Sequence, residues 1–94
     1  MNKIMNRHKV KTNNIYPTLD LHGETTATLK FIVNDFINDN LKLQNEKIII
    51  IHGKGSGIIR KATYEILKEN KNVLNYKLDM FNDGQTFVEL KIKR

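Results

Sequence analysis

The sequence predicts a two-layer α/β domain with the element order βαβαββ, and three patterns carry that prediction. The first is Ile48-Ile49-Ile50-Ile51 running into His52-Gly53-Lys54-Gly55-Ser56-Gly57, a β-branched strand that stops at a glycine-rich turn and restarts as a helix. The second is the set Leu29, Ile32, Val33, Phe36, Ile37 and Leu41, whose three- and four-residue spacing is the apolar stripe of an amphipathic helix. The third is apolar–polar alternation on both sides of Asn82-Asp83-Gly84, a hairpin signal.

Residues 1–16 are polar, basic and rich in asparagine, with no sustained period, and are expected to form a flexible arm closed by Pro17. Residues 17–94 form the domain. In Thr18-Leu19-Asp20-Leu21-His22-Gly23, Leu19 and Leu21 alternate with Asp20 and His22, as in a strand buried on one face. Asp20 and His22 thus point the same way. Thr25 is the expected N-cap of a helix over 26–43, with Phe31 on the face opposite its apolar stripe. After the isoleucine strand, Ser56 is the expected cap of a second helix that turns Ile59, Ala62, Thr63, Ile66 and Leu67 inward and ends in the polar run Lys68-Glu69-Asn70-Lys71. Leu74, Tyr76, Leu78 and Met80 then share one strand face, and Thr86, Val88, Leu90 and Ile92 share another, leaving only Asn82-Asp83-Gly84 between the two strands.

Ninety-four residues suffice for one small core. The formal charge is +6, and Lys3, Arg7, Lys9 and Lys11 contribute four of those charges in a segment without an acid. That suits a polyanion such as nucleic acid, or an anionic membrane surface, although the many lysines, asparagines and isoleucines also fit a coding bias toward AT-rich codons. Without cysteine there are neither disulfides nor thiolate metal sites, which fits a reducing cytoplasm. No apolar run is long enough to span a membrane, and a soluble intracellular protein without a membrane partner is expected.

The glycine loop favours an anion. Backbone N–H groups and the positive end of a helix dipole meet whatever sits at the end of the isoleucine strand, Lys54 and Arg60 add charge, and His52 can carry a proton near neutral pH. A nucleotide cofactor is not expected: Gly55 follows Lys54 where a P-loop needs serine or threonine, and Ile58 stands where a dinucleotide fingerprint needs its third glycine. The blander alternative is a tight turn with a solvated lysine. Right-handed βαβ crossovers place consecutive strands parallel, so the loops at His22, at His52 to Gly57 and at Asn82 to Gly84 should share one edge of the sheet.

Three blocks resemble the signatures of the Smr (small MutS-related) domain: Leu19-Asp20-Leu21-His22-Gly23, His52-Gly53-Lys54-Gly55-Ser56-Gly57, and Gly84-Gln85-Thr86-Phe87-Val88-Glu89-Leu90. The resemblance covers about residues 17 to 92 and would make the chain a stand-alone form. It implies a mixed four-stranded sheet of order 1-2-4-3 with both helices on one face, like the C-terminal domain of bacterial translation initiation factor three. It also implies nucleic-acid binding with endonuclease activity on RNA or DNA, in some relatives at stalled ribosomes. The matched positions are Asp20, His22 and Gly23 in the first block and His52, Gly53, Lys54, Gly55 and Gly57 in the second. The family's last loop is usually longer and richer in glycine. Mismatch repair is not implied, since no ATPase or mismatch-binding region is present.

On this reading His22 and His52 share proton work on a phosphodiester, Asp20 orients His22, and Lys54, Ser56, Arg60 and the loop glycines 23, 53, 55 and 57 hold the phosphate. No metal or other cofactor is required. A metal-assisted version would use Asp20, His22 and His52 as ligands, and nothing in their spacing selects it. A monomer is expected on any of these readings; the alternatives to cleavage are a nucleic-acid-binding module without chemistry, and a ribosome-associated adaptor that docks through the second face of the isoleucine strand and Phe87.

Overall fold

A computed structural model describes residues 9–11 and 15–93. The elements are β1 (Lys9–Lys11), β2 (Thr18–Asp20), α1 (Thr26–Lys42), β3 (Lys47–Ile51), α2 (Ile58–Glu69), β4 (Val73–Leu78) and β5 (Gln85–Leu90). They form one sheet of order β1-β2-β3-β5-β4, with β2 parallel to β3 and β5 antiparallel to both β3 and β4. The expected order 1-2-4-3 is present as β2-β3-β5-β4. β1 adds a fifth strand inside the segment read as an arm, antiparallel to β2 with Val10 opposite Leu19. Three residues are too few to show a period, but pairing them satisfies a sheet edge that would otherwise be open. Residues 1–8 and 12–14 of the arm lie outside the described residues.

The core lies between the sheet and the two helices. Leu19 of β2, Ile48 and Ile50 of β3, and Val88 and Leu90 of β5 meet Leu29, Val33, Phe36 and Ile37 of α1 and Leu67 of α2. Phe36 is 1% exposed, and truncating such a ring to alanine costs about 3–5 kcal/mol. The helical stripe of α1 is the predicted one, and Phe31 lies outside it, exposed to solvent. α1 also buries Asn40, whose amide donates to the Phe36 carbonyl and accepts from Asn45. The helix then closes with Asn45 N–H on Asn40 O and Gln44 N–H on Leu41 O, the pairing of a Schellman motif, with Gln44 in the left-handed region at φ 60°.

Three local expectations need correction. The cap of α2 is Gly57 rather than Ser56, because φ of 87° there sets the chain's entry angle, and Ser56 Oγ approaches only the Ile58 N–H at 3.4 Å. The strand face through Leu74 and Met80 does not exist: the ladder is irregular between Val73 and Asn75, and both side chains are exposed. The connection between β4 and β5 consequently spans residues 79–84, twice the expected length.

On the sheet face away from the helices, Ile49 is buried and Phe87 is partly exposed. Phe87 lines a shallow depression there with Tyr16, Lys47, Asn75, Lys77 and Glu89. Among the described residues no helix is long and apolar enough to cross a membrane.

Candidate functional site

β4 runs with β3, since both oppose β5, so β2, β3 and β4 all end on one edge of the sheet. Three connections emerge there, as the crossover argument requires. They are also bonded to each other. Leu21 N–H extends the parallel ladder onto Ile51 O, and the N–H groups of His52 and Gly53 both donate to the carbonyl of Gly84, each at 2.9 Å.

At the end of β2 the chain turns sharply. Asp20 Oδ1 accepts the His22 backbone N–H at 3.0 Å, Glu24 N–H returns to Leu21 O, and Gly23 takes φ of 84°. An L side chain rarely adopts that angle. The carboxylate thus fixes the backbone at His22, whose imidazole is exposed at the rim.

His52 lies differently. It is 8% exposed, and its ring faces inward. Nδ1 is 3.1 Å from the Gly53 carbonyl, which can only accept, so Nδ1 carries the proton. In the neutral ring Nε2 then accepts from the Thr86 hydroxyl at 2.8 Å, and Thr86 Oγ1 in turn receives the Tyr64 phenol at 3.0 Å. Tyr64 stands edge-on to the imidazole and packs on Tyr76. Burial is the main influence that pushes the His52 pKa below its ordinary 6.5, with Arg60 acting in the same direction and the Gly53 carbonyl and Asp83 acting against it.

Between His52 and α2 runs the glycine loop. Gly53 and Gly57 both have positive φ. A Cβ at Gly53 would meet nothing within 4 Å, so the backbone angle alone demands glycine there. At Gly84 the demand is close approach: a Cβ would come within 3.2 Å of Lys54 Cγ and of Asn82 Oδ1. The lysine stem therefore lies across Gly84, and its ammonium pairs with Asp83 at 3.6 Å, both side chains largely in solvent.

The loop divides the candidate residues. On one side Asp20, His22, Gly23, His52 and Gly53 border a single depression of about 320 Å³. On the other, Ser56, Gly57 and Arg60 border a broader groove of about 720 Å³, where Lys61, Lys68, Tyr64 and Tyr76 join them. Lys54 and Gly55 border neither. Among the described residues, no three His, Cys, Asp or Glu side chains are grouped to hold a metal ion. The sequence reading missed Thr86, Tyr64 and Asp83, which hold His52 and Lys54. Thr86 leaves a trace, a polar residue on the otherwise apolar inward face of β5.

The chain and its fold have counterparts. The Smr domain family model matches residues 19–91. The chain is similar to Endonuclease MutS2 of Halothermothrix orenii, 32% identical over 80 residues, covering 85% of this chain and 10% of that one. It is also similar to Endonuclease MutS2 of a Geobacillus species, 38% identical over 76 residues, covering 78% of this chain and 10% of that one. It thus spans about a tenth of the length of these curated relatives. The crystal structure of the Smr domain of Thermus thermophilus MutS2 superposes with a TM-score of 0.73 at 29% identity, covering 78% of this chain and 95% of that one. YdaL, a stand-alone small MutS-related protein from Escherichia coli, superposes at 0.74 and 25% identity, over 79% of this chain and 63% of that one. With the family model spanning most of the described residues and the same fold in both crystal structures, the chain belongs to the Smr domain family.

Proposed function

We propose that this domain binds nucleic acid and cuts phosphodiester bonds in RNA or DNA by acid–base chemistry at the carboxyl edge of its sheet. The observation that carries the reading is the depression in which Asp20, His22, His52 and the glycine loop meet, in a domain similar to part of proteins called endonucleases. A phosphate at the loop would face the N–H groups of the first turn of α2, which have no partners within the helix, and the positive end of its dipole. Lys54 would exchange Asp83 for a phosphate oxygen. An exposed pair of this kind is worth only ~0–1 kcal/mol, so the exchange is cheap.

Proton transfer then falls to His22, on the rim where substrate can reach it. Asp20 positions the backbone that presents it. His52 shares in proton transfer only if it releases Thr86. In the resting arrangement it is a positioning residue that ties the first glycine of the loop through Nδ1. A 2′-hydroxyl nucleophile would make RNA the easier substrate, because the attacking oxygen is already beside the phosphorus.

A second reading, binding without cleavage, is favoured by the full engagement of both His52 nitrogens. One experiment separates the two. End-labelled structured RNA and supercoiled DNA are incubated with the wild type and with the His22→Ala and His52→Ala variants, with and without a chelator. Cleavage that survives the chelator and is lost in His22→Ala supports the proposal. Binding by all three proteins with no cutting, or equal cutting by all three, leaves a phosphate grip.

A further inference from the structure

The proposed function uses the connection between β4 and β5 only through Asp83 and Gly84, yet two of its exposed residues are large and apolar. Met80 is 82% exposed and Phe81 98%. The backbone beneath them is firmly built. Two turns follow one another, closed by Asn82 N–H on Asp79 O and by Gln85 N–H on Asn82 O. Each is braced by the side chain of its first residue: Asp79 Oδ1 accepts Phe81 N–H at 2.8 Å, and Asn82 Oδ1 accepts Gly84 N–H at 3.0 Å. Asp79 Oδ2 also receives the Gln85 amide at 2.9 Å. Phe81 is therefore held outward by its own turn.

Its position gives that exposure a use. Three residues later, Gly84 supplies the carbonyl that anchors His52 and Gly53, and between them Asp83 pairs with Lys54. A planar ring thus stands on the same short connection that pins the phosphate loop. We propose that Phe81 is a stacking platform for an unpaired nucleobase of the strand whose phosphate sits at the glycine loop. The inference deepens the nucleic-acid reading and rests on it. A base within a duplex keeps its faces covered, whereas an unpaired one offers a face to an aromatic ring whatever its identity. Because the turn is already ordered, little freedom is lost on contact. Two apolar side chains between Asp79 and the Asn82-Asp83 pair are too small a patch for the core of a protein interface.

The chain contains no tryptophan, so Phe81→Trp introduces a single fluorophore at the platform. This variant is titrated with an unstructured single-stranded RNA, an abasic strand of equal length, and an RNA duplex, and affinities are measured for wild type and Phe81→Ala. The expected result is quenching by the single strand but not by the abasic strand or the duplex. Phe81→Ala should bind the single strand about 5- to 150-fold more weakly and the abasic strand unchanged, the loss of one stacked base. Unquenched emission on a bound strand, with wild-type affinity in Phe81→Ala, overturns the platform and leaves the nucleic-acid reading standing. Emission that responds to neutral lipid vesicles or to self-association, and to no oligonucleotide, overturns it in favour of a docking role. If the wild type binds none of the three ligands and no single-stranded or supercoiled DNA either, the proposed function falls with it.

Discussion

His22 and His52 each end a parallel strand and each precede a glycine, yet the fold treats them in opposite ways. His22 sits on a tight turn whose hydrogen bond to Asp20 is made by its backbone, leaving the imidazole at the rim. His52 is drawn inward until both ring nitrogens meet partners, one on its own loop and one on β5. The difference is set by what lies across from each. Opposite His52 stand Thr86 and Tyr64, a hydroxyl and a phenol that need a third polar group to complete their bonds in a half-buried place. On the proposed function, these equivalent motif positions would divide labour, His22 facing substrate and His52 holding the loop that would bind it.

The largest effect that would sharpen this contrast is catalytic. His22→Ala should lower the rate of strand cleavage by about 10² to 10⁴ while leaving the melting temperature nearly unchanged, since an exposed side chain contributes little to stability. A large fall in melting temperature would remove the distinction. Thr86→Val keeps the shape of the side chain but strands Nε2 of His52 and the Tyr64 phenol. It should destabilise the fold by about 1–3 kcal/mol in urea titrations. Tyr64→Phe removes only the outer member of that chain and should cost about 0.5–1.5 kcal/mol.

The pH dependence is a further mark of His52. Its folded pKa lies below 6.5, so the unfolded chain takes up the proton first as pH falls. The stabilisation is complete above about pH 6.5 and is lost as pH drops through the lowered folded value. Melting curves should show this loss in the wild type, and His52→Gln should lack that component. His52→Gln with an unaltered profile would mean the histidine is not held neutral by the fold. The smallest effect concerns Lys54. Asp83→Asn should change stability by less than about 1 kcal/mol, yet tighten nucleic-acid binding measured by anisotropy at low salt, because the ammonium no longer exchanges partners.

Much of this arrangement is legible in the sequence because local patterns decide it. The apolar stripe of α1, the isoleucine strand and the right-handed crossovers are enough to bring His22 and His52 to one edge. Other features escape for identifiable reasons. Leu74 and Met80 continue a two-residue period into an irregularity and a turn, where the period no longer reports burial. Ser56 has the chemistry of a cap, but the chain enters α2 at an angle that only Gly57 accommodates comfortably. The inward turn of His52 depends on Tyr64 and Thr86, 12 and 34 residues away along the chain, and no spacing rule reaches them.

One carbonyl, that of Gly84, receives two consecutive N–H groups of the glycine loop. The loop and the tip of the β4–β5 hairpin therefore cannot separate without both bonds opening together. In hydrogen exchange the amides of His52 and Gly53 should show one common protection factor, set by the opening of the hairpin tip rather than by either residue alone. A nucleic acid that steadies the tip would then slow both amides by the same factor, without touching either of them.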